Sequence, residues 1–182
     1  MQNLPNILTF FRIAILPFII ALFFVPEAWA AWSALGLYTV ACITDFMDGY
    51  LARTMKTESM LGKFLDPISD KIFIAVLLMV LVDFDRLEGL WLIPALLILI
   101  REFLVSGLRE FLGPLNIQLP VSKLAKWKTT VQMVALGFLI MGNYGDVLVP
   151  HTLAIGQWGL AIAALLTVIT GWSYVKAGLK HF

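Results

Sequence analysis

Apolar residues fill this chain in six long stretches, and polar residues gather in the short segments between them. The stretches cover about 6–24, 32–53, 62–82, 90–108, 124–141 and 153–174. Each approaches the ~20 apolar residues that a helix needs to cross a bilayer core. Pro5 precedes the first stretch, where an opening helical turn tolerates proline because the missing N–H would have no partner there. The pattern predicts an all-α, polytopic membrane protein, a bundle of six transmembrane helices. No internal repeat, low-complexity linker or shift of composition divides residues 1–182, so one domain is expected.

Composition strengthens that reading. Of 182 residues, 60% are hydrophobic, against about 45–50% in soluble domains, and mean hydropathy is +0.91. A formal net charge of +1 without a long like-charge tail gives no support to a nucleic-acid partner. Cys42 is the single cysteine, so no intrachain disulfide is possible, and its apolar neighbours make it a small core residue. The N-terminal segment has no basic n-region and no small-residue cleavage site, and it reads as a retained helix rather than a signal peptide.

Charge sets the orientation, because cytoplasmic loops carry the excess of Lys and Arg. Arg53, Lys56 and Lys63 lie between stretches two and three, Arg109, Lys123, Lys126 and Lys128 between four and five, and Lys176 and Lys180 after six. The opposite connections, PEAWAAW, DFDRLEG and NYGDVLVPHT, together hold only Arg86. Both termini are therefore expected in the cytoplasm.

Against this background the segment DFMDGYLARTMKTESMLGKFLDPISD (45–70) is anomalous. Asp45 and Asp48 stand at i, i+3 and Asp66 and Asp70 at i, i+4, so on helices each pair shares a face. Asp45 precedes Arg53 by eight residues, which at 1.5 Å per residue places it roughly 12 Å inside the cytoplasmic end of its helix. An Asp at the centre of a membrane helix costs roughly 2.5–3.5 kcal/mol. Such residues are expected to face a polar cavity, here open to the cytoplasm. Gly49, Ala52 and Gly62 leave backbone uncovered beside the carboxylates, where a bulky group can approach. Four converging carboxylates repel unless protons or cations neutralise them, and hard cations suit oxygen ligands. The bland alternative pairs them with Lys71, Arg53 and Lys63 as ionic staples, but the glycines and the two spacings are harder to assign to packing.

Asp45, Asp48, Gly49, Ala52, Arg53, Gly62, Asp66 and Asp70 reproduce the pattern D-x2-D-G-x2-A-R-x8-G-x3-D-x3-D. In this the chain resembles the CDP-alcohol phosphatidyltransferases. The resemblance implies a six-helix membrane enzyme, usually a homodimer, that transfers a phosphatidyl group from a CDP-linked lipid to an alcohol and releases CMP. It further implies that Asp45, Asp48 and Asp66 bind divalent cations and that Asp70 is the general base and also a possible metal ligand. Gly49 and Arg53 correspond to nucleotide and diphosphate contacts, with Ala52 and Gly62 beside them and Ser59 in the loop that follows. A diphosphate leaving group needs charge neutralisation, which paired metal ions supply. Mg²⁺ suits carboxylate and phosphate oxygens, and Mn²⁺ fits the same ligands; two ions per site are expected.

The remaining cations narrow the acceptor. REFLVSGLRE (101–110) carries Arg101 and Arg109, and AKWKTTVQ (125–132) carries Lys126 and Lys128. On the cytoplasmic side these face the level of the Asp cluster. Arg grips phosphate with a two-pronged fork and Lys as a point charge, which suits a phosphorylated acceptor; otherwise they are ordinary positive-inside charges. Both segments, with NLPNILTFFRIAILPF (3–18), resemble bacterial members of the family that take CDP-diacylglycerol as donor and glycerol-3-phosphate as acceptor. The resemblance implies the bacterial inner membrane and anionic phospholipid synthesis. Ala125 stands where those members usually carry Gly. Thr9 and Arg12, with Asn6, share one half of the first helix and are candidates to touch lipid diphosphate or acceptor, the rival being interfacial anchoring. Serine, inositol phosphate or a phospholipid are alternative acceptors. A cation or proton transporter is the reading from another class, but it should carry polar groups toward the far side, where stretches two and three are almost wholly apolar.

Overall fold

The computed structural model describes residues 4–55, 60–113 and 123–178. All regular structure among them is helical: α1 (Leu4–Phe23), α2 (Ala28–Met55), α3 (Met60–Asp83), α4 (Leu92–Leu112, entered through a 3₁₀ turn at Gly89–Trp91), α5 (Lys123–Met141) and α6 (Thr152–Gly178). A 3₁₀ segment, Gly142–Val147, joins the end of α5 to the approach of α6. Six apolar stretches thus give six helices, with altered ends. At 28 residues, α2 is about 42 Å long, well beyond the ~30 Å of a bilayer core, and it carries the first half of the acidic segment on its C-terminal third. Hydropathy marks the apolar middle of a helix, whereas backbone hydrogen bonding continues through its polar ends.

The helices close a ring in the order α1, α2, α5, α6, α4, α3 and back to α1, with α5 against α6 the most extensive pairing and α3 against α4 the least. Inside lies one core, in which Ile15, Leu16 and Ile19 meet Ala34, Tyr38 and Ala41, Leu77 and Leu81, Ile98, Leu136 and Leu139, and Leu160. Alanines at 34, 41, 135, 163 and 164 are buried at helix contacts, which lets backbones approach. Tyr38 stacks on Phe73 and donates its hydroxyl to the Met133 carbonyl at 2.9 Å, tying α2 to α3 and α5.

Connections at the end of the ring remote from the acidic segment are clamped together. Asp85 takes a left-handed conformation (φ 56°) just beyond α3, and the Arg86 N–H reaches back to the Leu81 carbonyl at 2.9 Å, a closure typical of helix ends. The Arg86 carbonyl accepts from Gln157 of α6 at 3.0 Å. Its guanidinium lies over Gly142, where a Cβ would come within 1.7 Å of Nη1. Asp146 accepts the Thr152 N–H at 2.8 Å and so caps α6.

Gly89–Leu112 and Thr152–Trp172 are long and apolar enough to cross a membrane, and Phe10–Phe23 is a shorter apolar helix. Charged residues of the acidic segment and of the α5 start dilute α2, α3 and α5.

Candidate functional site

Arg12 of α1 occupies the inner end of the acidic segment. It lies three and four residues before the buried Ile15 and Leu16, so it shares their inward face, and its side chain is only 5% exposed. One guanidinium nitrogen, Nη2, pairs with Asp45 of α2, and the other, Nη1, with Asp70 of α3. Asp45 faces inward because it follows buried Ala41 by one turn, and Asp70 because it precedes buried Phe73 by three residues. Carboxylates from two helices therefore converge on a single cationic group. Asp70 remains half exposed.

Asp48 lies on α2 and Asp66 on α3, each in register with its partner. The side chains of Asp48 and Asp66, and of Thr9, Ala52 and Arg53, fall outside the described residues, as do Gly49 and Gly62 beyond their helical backbone and Ser59 altogether. Among the described residues no group of three metal-ligating side chains occurs; the two that are described, Asp45 and Asp70, share their cation.

Where α3 and α4 separate, a cleft of about 570 Å³ opens. Asp70 and Lys71 line it from α3, and Arg101, Glu102, Ser106, Arg109 and Glu110 from α4. Pro67, one turn before Lys71, also lines it. Its ring crowds the carbonyl four residues back and removes a backbone donor, loosening α3 at the cleft wall. On α4 two rows spaced by four, Arg101–Val105–Arg109 and Glu102–Ser106–Glu110, turn the same side of the helix to the cleft. Arg101 lies across α6 at Gly171, where a Cβ would stand 3.0 Å from its Cγ. Farther along the same seam, Phe24, Leu78, Val82, Leu92, Leu96 and Leu99 line an apolar groove of about 480 Å³.

Of the four cations expected to meet an acceptor phosphate, Arg101 and Arg109 line the cleft. Lys126 is exposed on α5 and is not in its wall. Lys128 is buried behind the wall, with its ammonium paired to Glu102 Oε1, the oxygen that Arg101 Nη1 also approaches at 3.2 Å. Glu102, Ser106 and Glu110 carry no role in the sequence reading, although the four-residue spacing along 101–110 is the signal that marks them; Lys71, considered there only as an ionic partner of the acidic residues, also lines the cleft. No comparable signal links Arg12 to Asp45 and Asp70; only its register with Ile15 and Leu16 points inward.

Comparison with known proteins bears on what this arrangement does. The family model described as CDP-alcohol phosphatidyltransferase matches residues 2–169. A Rickettsia typhi protein named CDP-diacylglycerol--glycerol-3-phosphate 3-phosphatidyltransferase is 46% identical over 182 residues, covering all of both chains. Proteins of the same name from Cereibacter sphaeroides and Escherichia coli K12 are 39% and 35% identical, over 98% and 96% of this chain and 96% and 92% of their own.

Proposed function

The chain belongs to the CDP-alcohol phosphatidyltransferase family, and from that premise we infer that it transfers the phosphatidyl group of CDP-diacylglycerol to glycerol-3-phosphate, giving phosphatidylglycerophosphate and CMP. It is a CDP-diacylglycerol-dependent phosphatidyltransferase of phospholipid biosynthesis. One structural observation carries the choice of acceptor: the signature carboxylate Asp70 and the cations Arg101 and Arg109 line one cleft from facing helices.

In this reading Arg101 and Arg109 hold the acceptor phosphate, which leaves its hydroxyl directed toward Asp70. Asp70 takes the proton as the hydroxyl oxygen bonds to the phosphatidyl phosphorus, and the bond from that phosphorus to the CMP oxygen breaks. The seam between α3 and α4 suits a lipid donor, being charged at the Asp70 end and apolar beyond.

Divalent cations fit the same residues. Asp45 and Asp70 already turn carboxylate oxygens to one positive group, and all-oxygen donors favour Mg²⁺, with Mn²⁺ next. Asp45, Asp48, Asp66 and Asp70 would hold the cation, which would supply charge neutralisation for the diphosphate. Gly49, Ala52, Arg53, Ser59 and Gly62 are assigned to the donor nucleotide and diphosphate through the family pattern. We place the chain in the bacterial inner membrane as six spans with the cleft on the cytoplasmic side. Large apolar side chains such as Phe18, Met79, Leu90, Ile100 and Trp172 lie on the outer surface, where lipid would cover them.

The test follows CMP release from purified protein in detergent, supplied with CDP-diacylglycerol and one of glycerol-3-phosphate, serine, inositol phosphate or glycerol, with and without Mg²⁺. Release that needs both glycerol-3-phosphate and the cation is expected. Preference for another acceptor would overturn the acceptor assignment, and absence of release with all of them would favour transport.

A further inference from the structure

A carboxylate in the wall of a cleft that receives a phosphate needs a reason. Glu102 projects from α4 between the two arginine positions, its side chain 25% exposed, and lines the cleft with Asp70. Its Oε1 takes both the buried Lys128 ammonium and Arg101 Nη1. Among the described residues nothing bonds Oε2. A staple between α4 and α5 accounts for Oε1 alone, and apolar residues of similar volume generally serve that purpose as well as a buried ion pair. Lys128 also neutralises Glu102, so the carboxylate can stand near the acceptor phosphate without adding a net negative charge to the wall.

We propose that Glu102 is a specificity-determining residue: held through Oε1 by Lys128 and Arg101, it accepts at Oε2 a hydrogen bond from the acceptor hydroxyl that does not react. The inference rests on the proposed function and deepens it. Glycerol-3-phosphate has three polar groups, a phosphate and two hydroxyls, and the polar lining of the cleft, which also includes Lys71, Ser106 and Glu110, holds a match for each. Arg101 and Arg109 suit the phosphate, Asp70 the reacting hydroxyl, and Glu102 the other. An ionised carboxylate only accepts hydrogen bonds, so Glu102 welcomes a hydroxyl and repels phosphate oxygens. That fixes which way round the acceptor lies. A site built to bond a hydroxyl rejects the analogue without it, because the site's own polar group is left unpaired.

The test compares kcat/KM for glycerol-3-phosphate and for 3-hydroxypropyl phosphate, which lacks the second hydroxyl. Wild type should prefer glycerol-3-phosphate by roughly tenfold to a hundredfold, the usual range for a hydrogen bond to a charged group. In Glu102→Met/Lys128→Met, which removes both charges together, the preference should fall to within about twofold of unity, while Glu102→Gln, still an acceptor, should keep part of it. Equal use of the two acceptors by wild type overturns the assignment whether or not any variant folds. An unchanged preference in the double variant overturns it too. Wild type that turns over neither compound refutes instead the proposed function beneath it.

Discussion

Arg12 connects α1 to both halves of the acidic signature, and removing it should expose what its charge does there. In Arg12→Met the Asp45 and Asp70 carboxylates face each other without their shared guanidinium. Breaking a fully buried pair costs about 3–5 kcal/mol; with Asp70 half exposed the loss is smaller. A divalent cation should relieve the remaining repulsion. The expected outcome is a lower Tm without Mg²⁺ and a larger Mg²⁺-induced rise in Tm than in wild type; an equal rise in both would separate Arg12 from the cation site. Roles divide further at Asp70 and Arg101. Asp70→Asn should cut kcat severely while CDP-diacylglycerol still binds, and Arg101→Ala should raise KM for glycerol-3-phosphate roughly tenfold to a hundredfold, with Arg101→Lys recovering only part because the fork is lost. Loss of donor binding in Arg101→Ala at unchanged acceptor KM would remove Arg101 from the acceptor site. Asp45 and Asp70, which turn to one guanidinium, could be singled out in the sequence because i, i+3 and i, i+4 spacing is local information. The Arg12 pairing spans 58 residues to Asp70, and no spacing encodes it. Lys128 and Arg101 looked alike as cytoplasmic cations until burial separated one from the other.

Element by element, the six helices could be read from apolar runs, but the turns that lock them could not. The closure after α3 depends on Asp85 at φ 56° and on a hydrogen bond back to Leu81, and Asp in DFDRLEG carries no unique mark for that role. The same holds for Gly142, which sits at φ 52° under the Arg86 guanidinium. Here glycine answers two demands at once. A side chain in the left-handed region costs about 1–2 kcal/mol, and a Cβ would collide with Arg86. Gly142→Ala should therefore lower Tm by roughly 2–8 °C, read by thermal unfolding in detergent, with phosphatidyl transfer intact. Asp85→Gly should leave Tm level or raise it, since glycine adopts that conformation without strain. Should Gly142→Ala prove neutral, the clamp between the α3–α4 and α5–α6 connections would have no energetic role.

At the scale of the whole molecule the two ends of the ring differ in charge, and that difference carries the orientation. From Asp70 to the end of α3 at Asp83 is thirteen residues, about 20 Å of helix, which separates the cleft from the clamp by much of a bilayer core. Arg53, Lys71, Arg101, Arg109, Lys126 and Lys176 stand on helix halves toward the cleft end, whereas the clamp end holds Arg86. Hydropathy and loop charge made this polarity legible in advance. The weak seam between α3 and α4 was not, because those helices are neighbours in sequence and a short connection normally leads to close packing. If the cleft opens to the cytoplasm, a cysteine placed at exposed Lys126 in a Cys42→Ala background should resist an impermeant thiol reagent in intact cells and react once the cytoplasmic face is opened. A cysteine at Glu88, exposed in the connection before α4, should react from outside in intact cells. The reverse pattern would turn the cleft away from the cytoplasm, and labelling of both positions from one side would break the single crossing that α4 makes between them.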